Sequence, residues 1–307
     1  MMYRRDLLRL AAGSGATLLL NGAFPVSLRA QDATINTQDI NATTALLSGA
    51  GCNVLAKKST SGELLIVDGG LATHAGTLRN AIESALDSRR VHTLVNTHWH
   101  PEHVGLNDTY GNGDVRIFAH ENTRQWLSTT IAYPWDNSQF QPAPENARPN
   151  DTFHHYGDFS IGDTAVEYGY LRQAHTDGDM YVFLPQDNVL HTGGLINSDS
   201  WPLMDWWTGG WIGGLVDGLE TLLSIANDNT LIIPARGPVM TVQQLRSMRD
   251  LYAEIFSGVS RMFQSAYSVE ETLAENPAAA YESQLGDSRQ FVELSWWSLI
   301  PHYTPDA

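Results

Sequence analysis

Asn96-Thr97-His98-Trp99-His100-Pro101-Glu102-His103 follows directly on the apolar run Val91-His92-Thr93-Leu94-Val95. The run reads as a buried strand, so the polar stretch falls on the loop at its C-terminal end, where open α/β sheets place their sites. That loop carries three histidines and a carboxylate within six residues. A lone loop histidine is usually a surface residue. This density, followed by Gly105 and opening straight off a hydrophobic strand, is the pattern of a metal-binding segment. Neutral imidazole suits zinc, and zinc turns bound water into a nucleophile near neutral pH.

The segment resembles the His-x-His-x-Asp-His signature of the metallo-β-lactamase fold hydrolases, with Glu102 in the place of the aspartate. Four other segments resemble elements of that family in the same order, over roughly residues 42–250. They are Glu63-Leu64-Leu65-Ile66-Val67-Asp68-Gly69-Gly70, Ala174-His175-Thr176-Asp177-Gly178-Asp179, Asn188-Val189-Leu190-His191-Thr192-Gly193-Gly194 and Thr230-Leu231-Ile232-Ile233-Pro234-Ala235-Arg236-Gly237-Pro238. The resemblance implies an α/β fold, a four-layer αβ/βα sandwich with the site along one edge between two sheets. It also implies that His98, His100 and His175 hold a first metal, with Asp68, His191 and Arg236 close behind the ligands and Asp68 buttressing the histidine loop.

The family's second metal uses the motif aspartate, the last motif histidine, a bridging aspartate and a final histidine. This chain offers Glu102 and His103 but has Gly194 and Arg236 in the other two places. Glycine has no donor atom, and a guanidinium stays protonated and repels a cation. Arg236 either turns into the site, supplying fixed charge and pairing with Glu102, or turns to solvent. Three histidines and an open position are the pattern of a catalytic zinc. The expectation is therefore a metal-dependent hydrolase with one zinc, two not excluded, and iron or manganese also compatible with the ligands. Glu102 and His103 then handle protons, Glu102 as general base, or hold a weak second metal. The bond cleaved would be an ester, lactone, amide, β-lactam or thioester. The competing reading is a non-catalytic binding protein that kept the fold and lost part of its metal chemistry.

Residues 1–30 begin Met1-Met2-Tyr3-Arg4-Arg5-Asp6-Leu7-Leu8-Arg9-Leu10 and continue through a short apolar stretch broken by Gly13, Ser14, Gly15 and Asn21. This reads as a twin-arginine export signal and implies a periplasmic or exported protein, with no membrane attachment after signal removal. The net charge is −16. Phosphate-backbone binding draws on clustered Lys and Arg, so nucleic acid is excluded as a partner and a small-molecule substrate is expected. Cys52 is the single cysteine, placed in an early strand as a small core residue.

Short apolar runs at 45–47, 53–56, 64–67 and 115–119 read as strands, and residues 73–86 as a helix. Residues 164–171, 180–184 and 189–191 read as strands of a second sheet. Helices are expected over 212–227 and 242–266, with a strand over 230–233 between them. Four prolines make 130–151 a long irregular loop. The aromatic segment Trp201-Pro202-Leu203-Met204-Asp205-Trp206-Trp207 resembles the family's loop over the site, where it would either meet an apolar substrate or fill the space of the missing ligands; Trp99, Trp206 and Trp207 are the substrate-binding candidates. The fold domain is read as 31–267. Residues 268–307 form a helical extension packed on it, opening with the capping sequence Ser268-Val269-Glu270-Glu271 and ending in aromatics that would pack on the body or serve a homodimer.

Overall fold

The apolar runs of the N-terminal half pair into one sheet, Asn36–Asn41, Thr44–Ser48, Val54–Lys58, Glu63–Val67, Arg90–Asn96, Arg116–His120 and Asp151–Phe153 in that order. The first four strands run antiparallel, and the pairings from Glu63–Val67 onward are parallel. A second sheet has the order Tyr156–Ile161, Thr164–Tyr170, Met180–Leu184, Val189–His191 and Leu231–Ile233. The computed structural model describes residues 34–304, so the export signal expected over 1–30 lies outside the described residues. No helix among them is long and apolar enough to cross a membrane.

Side chains alternate across a strand, which is how one sheet serves two cores. Leu46, Leu55, Leu65, Val67, Val95 and Phe118 meet Val166, Met180, Val182, Val189 and Ile233 between the sheets. On the outer face, Leu47, Val54, Leu64, Ile66 and Leu94 pack under the helix Ala75–Leu86, whose Leu78, Ile82 and Leu86 recur four apart on one stripe. The outer face of the second sheet, with Leu190 and Ile232, is covered by the helices Ile212–Ile225 and Val242–Gln264. The layers are therefore helix, sheet, sheet, helix. Strands buried on both faces read as continuous apolar runs, which is why they stood out in the sequence.

Residues 130–151 are more ordered than an irregular loop. Ile131–Ala132 pairs with Gln139–Phe140, and a 3-10 turn spans Glu145–Ala147. Ser268 caps the helix Val269–Glu275 with both reciprocal bonds to Glu271. The following helix, Arg289–Ser298, buries Phe291, Val292 and Leu294 against Val242–Gln264 and the core of the second layer.

Candidate metal centre

The strand Arg90–Asn96 ends at the edge where both sheets open, and the chain then turns through His98 and His100 into a single helical turn, Pro101–Val104. Gly105 allows the turn to lie against the neighbouring loop: a Cβ there would meet the Ala72 nitrogen at 2.3 Å. His175 arrives from the loop between Thr164–Tyr170 and Met180–Leu184. One ligand nitrogen from each of His98, His100 and His175 lies within 4.8 Å of the others, and all three residues are buried. The sequence separated His175 from the motif by 75 positions; the second sheet brings it back.

Each imidazole has a carboxylate behind it. The Thr97 hydroxyl donates to Asp68 Oδ2 at 2.9 Å and so accepts from His98 Nδ1 at 3.1 Å, which leaves His98 Nε2 with a lone pair. His100 Nε2 donates to Asp205 Oδ2 at 3.0 Å, which leaves Nδ1 with a lone pair. His175 Nδ1 lies 3.5 Å from Asp179 Oδ1 and is buried without a hydrogen-bond partner among the described residues. Burial, reinforced by the neighbouring imidazoles, holds His98 well below the ordinary histidine range, and burial lowers His175 as well. Both are therefore neutral, the form that ligates.

These tautomers make a cation fit. His98 Nε2 and His100 Nδ1 are 3.2 Å apart with two lone pairs facing each other. Two nitrogens bound tetrahedrally to one zinc at 2.0–2.1 Å stand about 3.3 Å apart. Asp68, Asp179 and Asp205 are each 0% exposed, and their ion-pair partners among the described residues are His103, His175 and His100, never Lys or Arg. Buried carboxylates need compensating charge, and a divalent ion among the imidazoles supplies it.

Asp68 follows its strand in the left-handed region at φ 67. It accepts from the Thr97 nitrogen at 2.8 Å, the Thr97 hydroxyl and His103 Nδ1 at 2.8 Å. Burial works against charge on His103, but the Cys52 thiol and Asp68 outweigh it and hold the imidazole well above its usual range. The Cys52 thiol itself is raised by burial.

A cavity of about 340 Å³ opens over the cluster, lined by His98, His100, His175, His103, Glu102 and Gly194 on one side. A profile of the metallo-beta-lactamase superfamily matches residues 51–251. The chain belongs to this superfamily. No curated protein sequence matches it. Among solved structures, the metallo-beta-lactamase from Pontibacter korlensis is similar over 71% of this chain and 99% of its own, with 18% identity and a TM-score of 0.58. The DIM-1 metallo-beta-lactamase is similar over 71% and 97%, at 17% identity and a TM-score of 0.57. The sec-alkylsulfatase Pisa1 from Pseudomonas sp. is similar over 89% of this chain and 51% of its own, at 14% identity and a TM-score of 0.65. At these identities the likeness is one of fold.

Gly194 and Arg236, which the resemblance places where the superfamily would hold a second metal, both face this cavity. Arg236, on the loop after Leu231–Ile233, turns to the cavity and donates from Nη2 to Glu102 Oε1 at 2.8 Å. Burial opposes charge on Glu102, but His100, His103 and Arg236 overcome it and bring its carboxyl down to about 2. Asn53 holds the arginine's loop by donating to the carbonyls of Pro234 and Gly237, both at 2.9 Å. At Gly194 a Cβ would sit 2.5 Å from His175 Nδ1 and 2.9 Å from His98 Cε1. The glycine thus lets two ligand rings close on the space where the superfamily's bridging carboxylate would stand. Gly194→Ala is expected to cost about 1–3 kcal/mol of stability through overpacking and to weaken metal retention; unchanged urea unfolding and full retention would show that the rings move aside freely.

The aromatic candidates do not line the cavity. Trp99 is buried against Tyr133 and Phe140, with Nε1 donating to Thr208 Oγ1 at 3.0 Å. Trp206 stacks on Trp297, and Trp207 is 46% exposed away from the cluster. Trp201 and Leu203 form the wall instead, together with Asp287, Gln290, Phe291 and Leu294 of the C-terminal extension, Trp201 stacking on Phe291. His191 is buried behind the site, its Nδ1 accepting from the Gly193 nitrogen at 3.2 Å. Asp205, Tyr133 and the tail residues had no motif to announce them, and Asp179 stood in the His175 segment without being assigned a role; Asp205 lies 105 positions from the histidine it supports.

Proposed function

We propose that the protein is an exported hydrolase with a single zinc held by His98, His100 and His175, cleaving an ester, lactone, amide, β-lactam or thioester bond. The observation that carries this reading is the set of three convergent imidazoles, each backed by a buried carboxylate, beside a second metal position given over to Gly194 and an arginine–glutamate pair. A zinc bound there polarises a carbonyl and makes water nucleophilic at neutral pH. His103 is the proton donor: paired with Asp68 through Nδ1 and held well above the usual histidine range, its ring is the acid that would give a proton to the leaving group, while the proton of the attacking water would leave to solvent. Arg236 faces the same cavity with fixed positive charge for a polarised or anionic oxygen of the substrate.

A carboxyl brought down to about 2 and held by a guanidinium is a weak base, so Glu102 serves chiefly to orient Arg236. Glu102→Gln is expected to keep zinc and to lower turnover by less than about tenfold; general bases contribute about 10²–10⁴-fold. A hundredfold loss with zinc retained would make Glu102 the base.

The second reading is a binding protein without turnover, favoured by the same Arg236–Glu102 pair, which closes the superfamily's second metal position. Metal content per chain, measured by elemental analysis on protein folded in its native host, separates the two when combined with a panel of esters, lactones, β-lactams and thioesters. An alkyl sulfate belongs in the panel, because the alkylsulfatase fold matches a larger share of this chain than the β-lactamases do. One zinc per chain with hydrolysis lost to a chelator and restored by zinc supports the hydrolase. Zinc without turnover on any panel member, or no zinc, leaves the binding protein.

A further inference from the structure

We propose that Asp205 is a positioning residue for the metal, fixing His100 in the one tautomer that presents Nδ1 to the ion, and that the segment around it serves the metal rather than the substrate. The inference rests on the reading that His98, His100 and His175 form a metal site.

Asp205 is fully buried, and as a carboxylate it only accepts. Four donors converge on it: His100 Nε2 at 3.0 Å, the Tyr133 hydroxyl at 2.8 Å, the Thr208 hydroxyl and the Thr208 nitrogen at 3.2 Å. The Thr208 hydroxyl takes a proton from Trp99 Nε1, so its own proton goes to Asp205. The Tyr133 hydroxyl is also 3.1 Å from His100 Nε2, but its single proton goes to the stronger acceptor, the carboxylate. Nε2 of His100 must therefore carry the ring proton. The shift of Asp205 below the ordinary carboxylate range follows from this arrangement: burial opposes it, and His100, Thr208 and Tyr133 overcome burial.

Trp99 belongs to the histidine motif, Tyr133 to the short ribbon segment after it and Thr208 to the aromatic segment. The network ties all three to one ligand, so two of the three tryptophans expected to meet substrate have structural work instead: Trp99 donates into it, and Trp206 sits beside Asp205 and packs on the tail through Trp297. A carboxylate on the far nitrogen of a ligating histidine orients the ring and raises its basicity, and its loss typically costs 10–100-fold in metal affinity.

The test is zinc affinity by chelator competition for wild type and Asp205→Asn, an isostere that removes the charge and places an amide among four donors, together with the melting temperature of the zinc-free proteins. Asp205→Asn is expected to melt at a lower temperature without zinc, because an amide leaves buried donors unsatisfied, and, at a temperature where both zinc-free proteins are fully folded, to bind zinc about 10–100-fold more weakly, a loss that a merely structural role does not produce in the folded protein. Affinity within threefold of wild type overturns the inference. If Asp205→Asn does not fold, Tyr133→Phe and Thr208→Val carry the test, each expected to weaken zinc several-fold; wild-type affinity in both overturns it. A wild type that binds no zinc fails at the earlier step and takes this inference with it, whereas zinc in the wild type with no effect of these variants sinks this inference alone.

Discussion

Replacing His175 with alanine is expected to remove the proposed metal and, with it, any hydrolysis that the metal supports. Structural zinc sites bind with about 10–16 kcal/mol shared over four ligands, so one imidazole contributes about 3 kcal/mol and its loss weakens zinc by about 10²–10³-fold. The two remaining ligands, His98 and His100, lie on one loop, and nothing from the second sheet would then reach the ion from the opposite side. The fold is expected to tolerate the change, because the substitution also removes a buried Nδ1 that had no hydrogen-bond partner among the described residues, which offsets part of the cavity cost. Elemental analysis after dialysis checks the outcome, with zinc-free unfolding as the control for folding. A full equivalent of zinc retained by a folded His175→Ala protein would remove His175 from the ligand set and reopen His103 and Glu102 as ligands.

The histidine cluster was legible because its residues are adjacent in sequence and because metal ligation admits few residue types. The strands on either side were legible for a different reason, burial on both faces, which leaves uninterrupted apolar runs such as Leu64-Leu65-Ile66-Val67. Two edge strands gave no such signal. Asn36–Asn41 is largely exposed and polar, and Tyr156–Ile161 alternates exposed positions with Phe159 and Ile161 on the inter-sheet core, so neither forms a continuous apolar run. The supporting carboxylates were hidden by distance: nothing about Asp205 within Met204-Asp205-Trp206 distinguishes an acid that accepts four buried hydrogen bonds from an acid in a surface loop. The aromatic segment left two roles open for a related reason. Tryptophan in a loop over a site reads as a substrate contact, but Trp206 and Trp99 spend their faces on packing, and the cavity wall falls to Trp201 and to a tail helix beyond the superfamily core.

Gly194 and Arg236 are linked changes in physical terms, although they lie on different strands' ends. The glycine lets His98 and His175 approach, and the arginine places positive charge beside Glu102 on the side of the cavity where a second cation would otherwise be attracted. Restoring one alone therefore does not restore a second metal: a carboxylate at 194 would strike His175, and a histidine at 236 would leave Glu102 without its partner. If the proposed site binds metal, this pairing is expected to favour one ion over two.

Asp68 is the residue on which this arrangement depends for stability. It is fully buried in a left-handed conformation and accepts from Thr97 twice and from His103 once, so it fixes both the first turn of the histidine loop and the His103 ring. Asp68→Ala would leave the Thr97 nitrogen without an acceptor and His103 without its counter-charge in a buried setting. Breaking one side of a buried pair typically costs about 3–5 kcal/mol, and the expected result is a loss of that size in urea unfolding of the zinc-free protein. Zinc cannot rescue it fully, because the Thr97 hydroxyl, freed from Asp68, no longer has to accept from His98, and the His98 tautomer becomes unfixed. Weaker zinc binding should accompany the lost stability. A stability loss under about 1 kcal/mol would mean that water satisfies these groups and that the histidine loop holds its shape without Asp68.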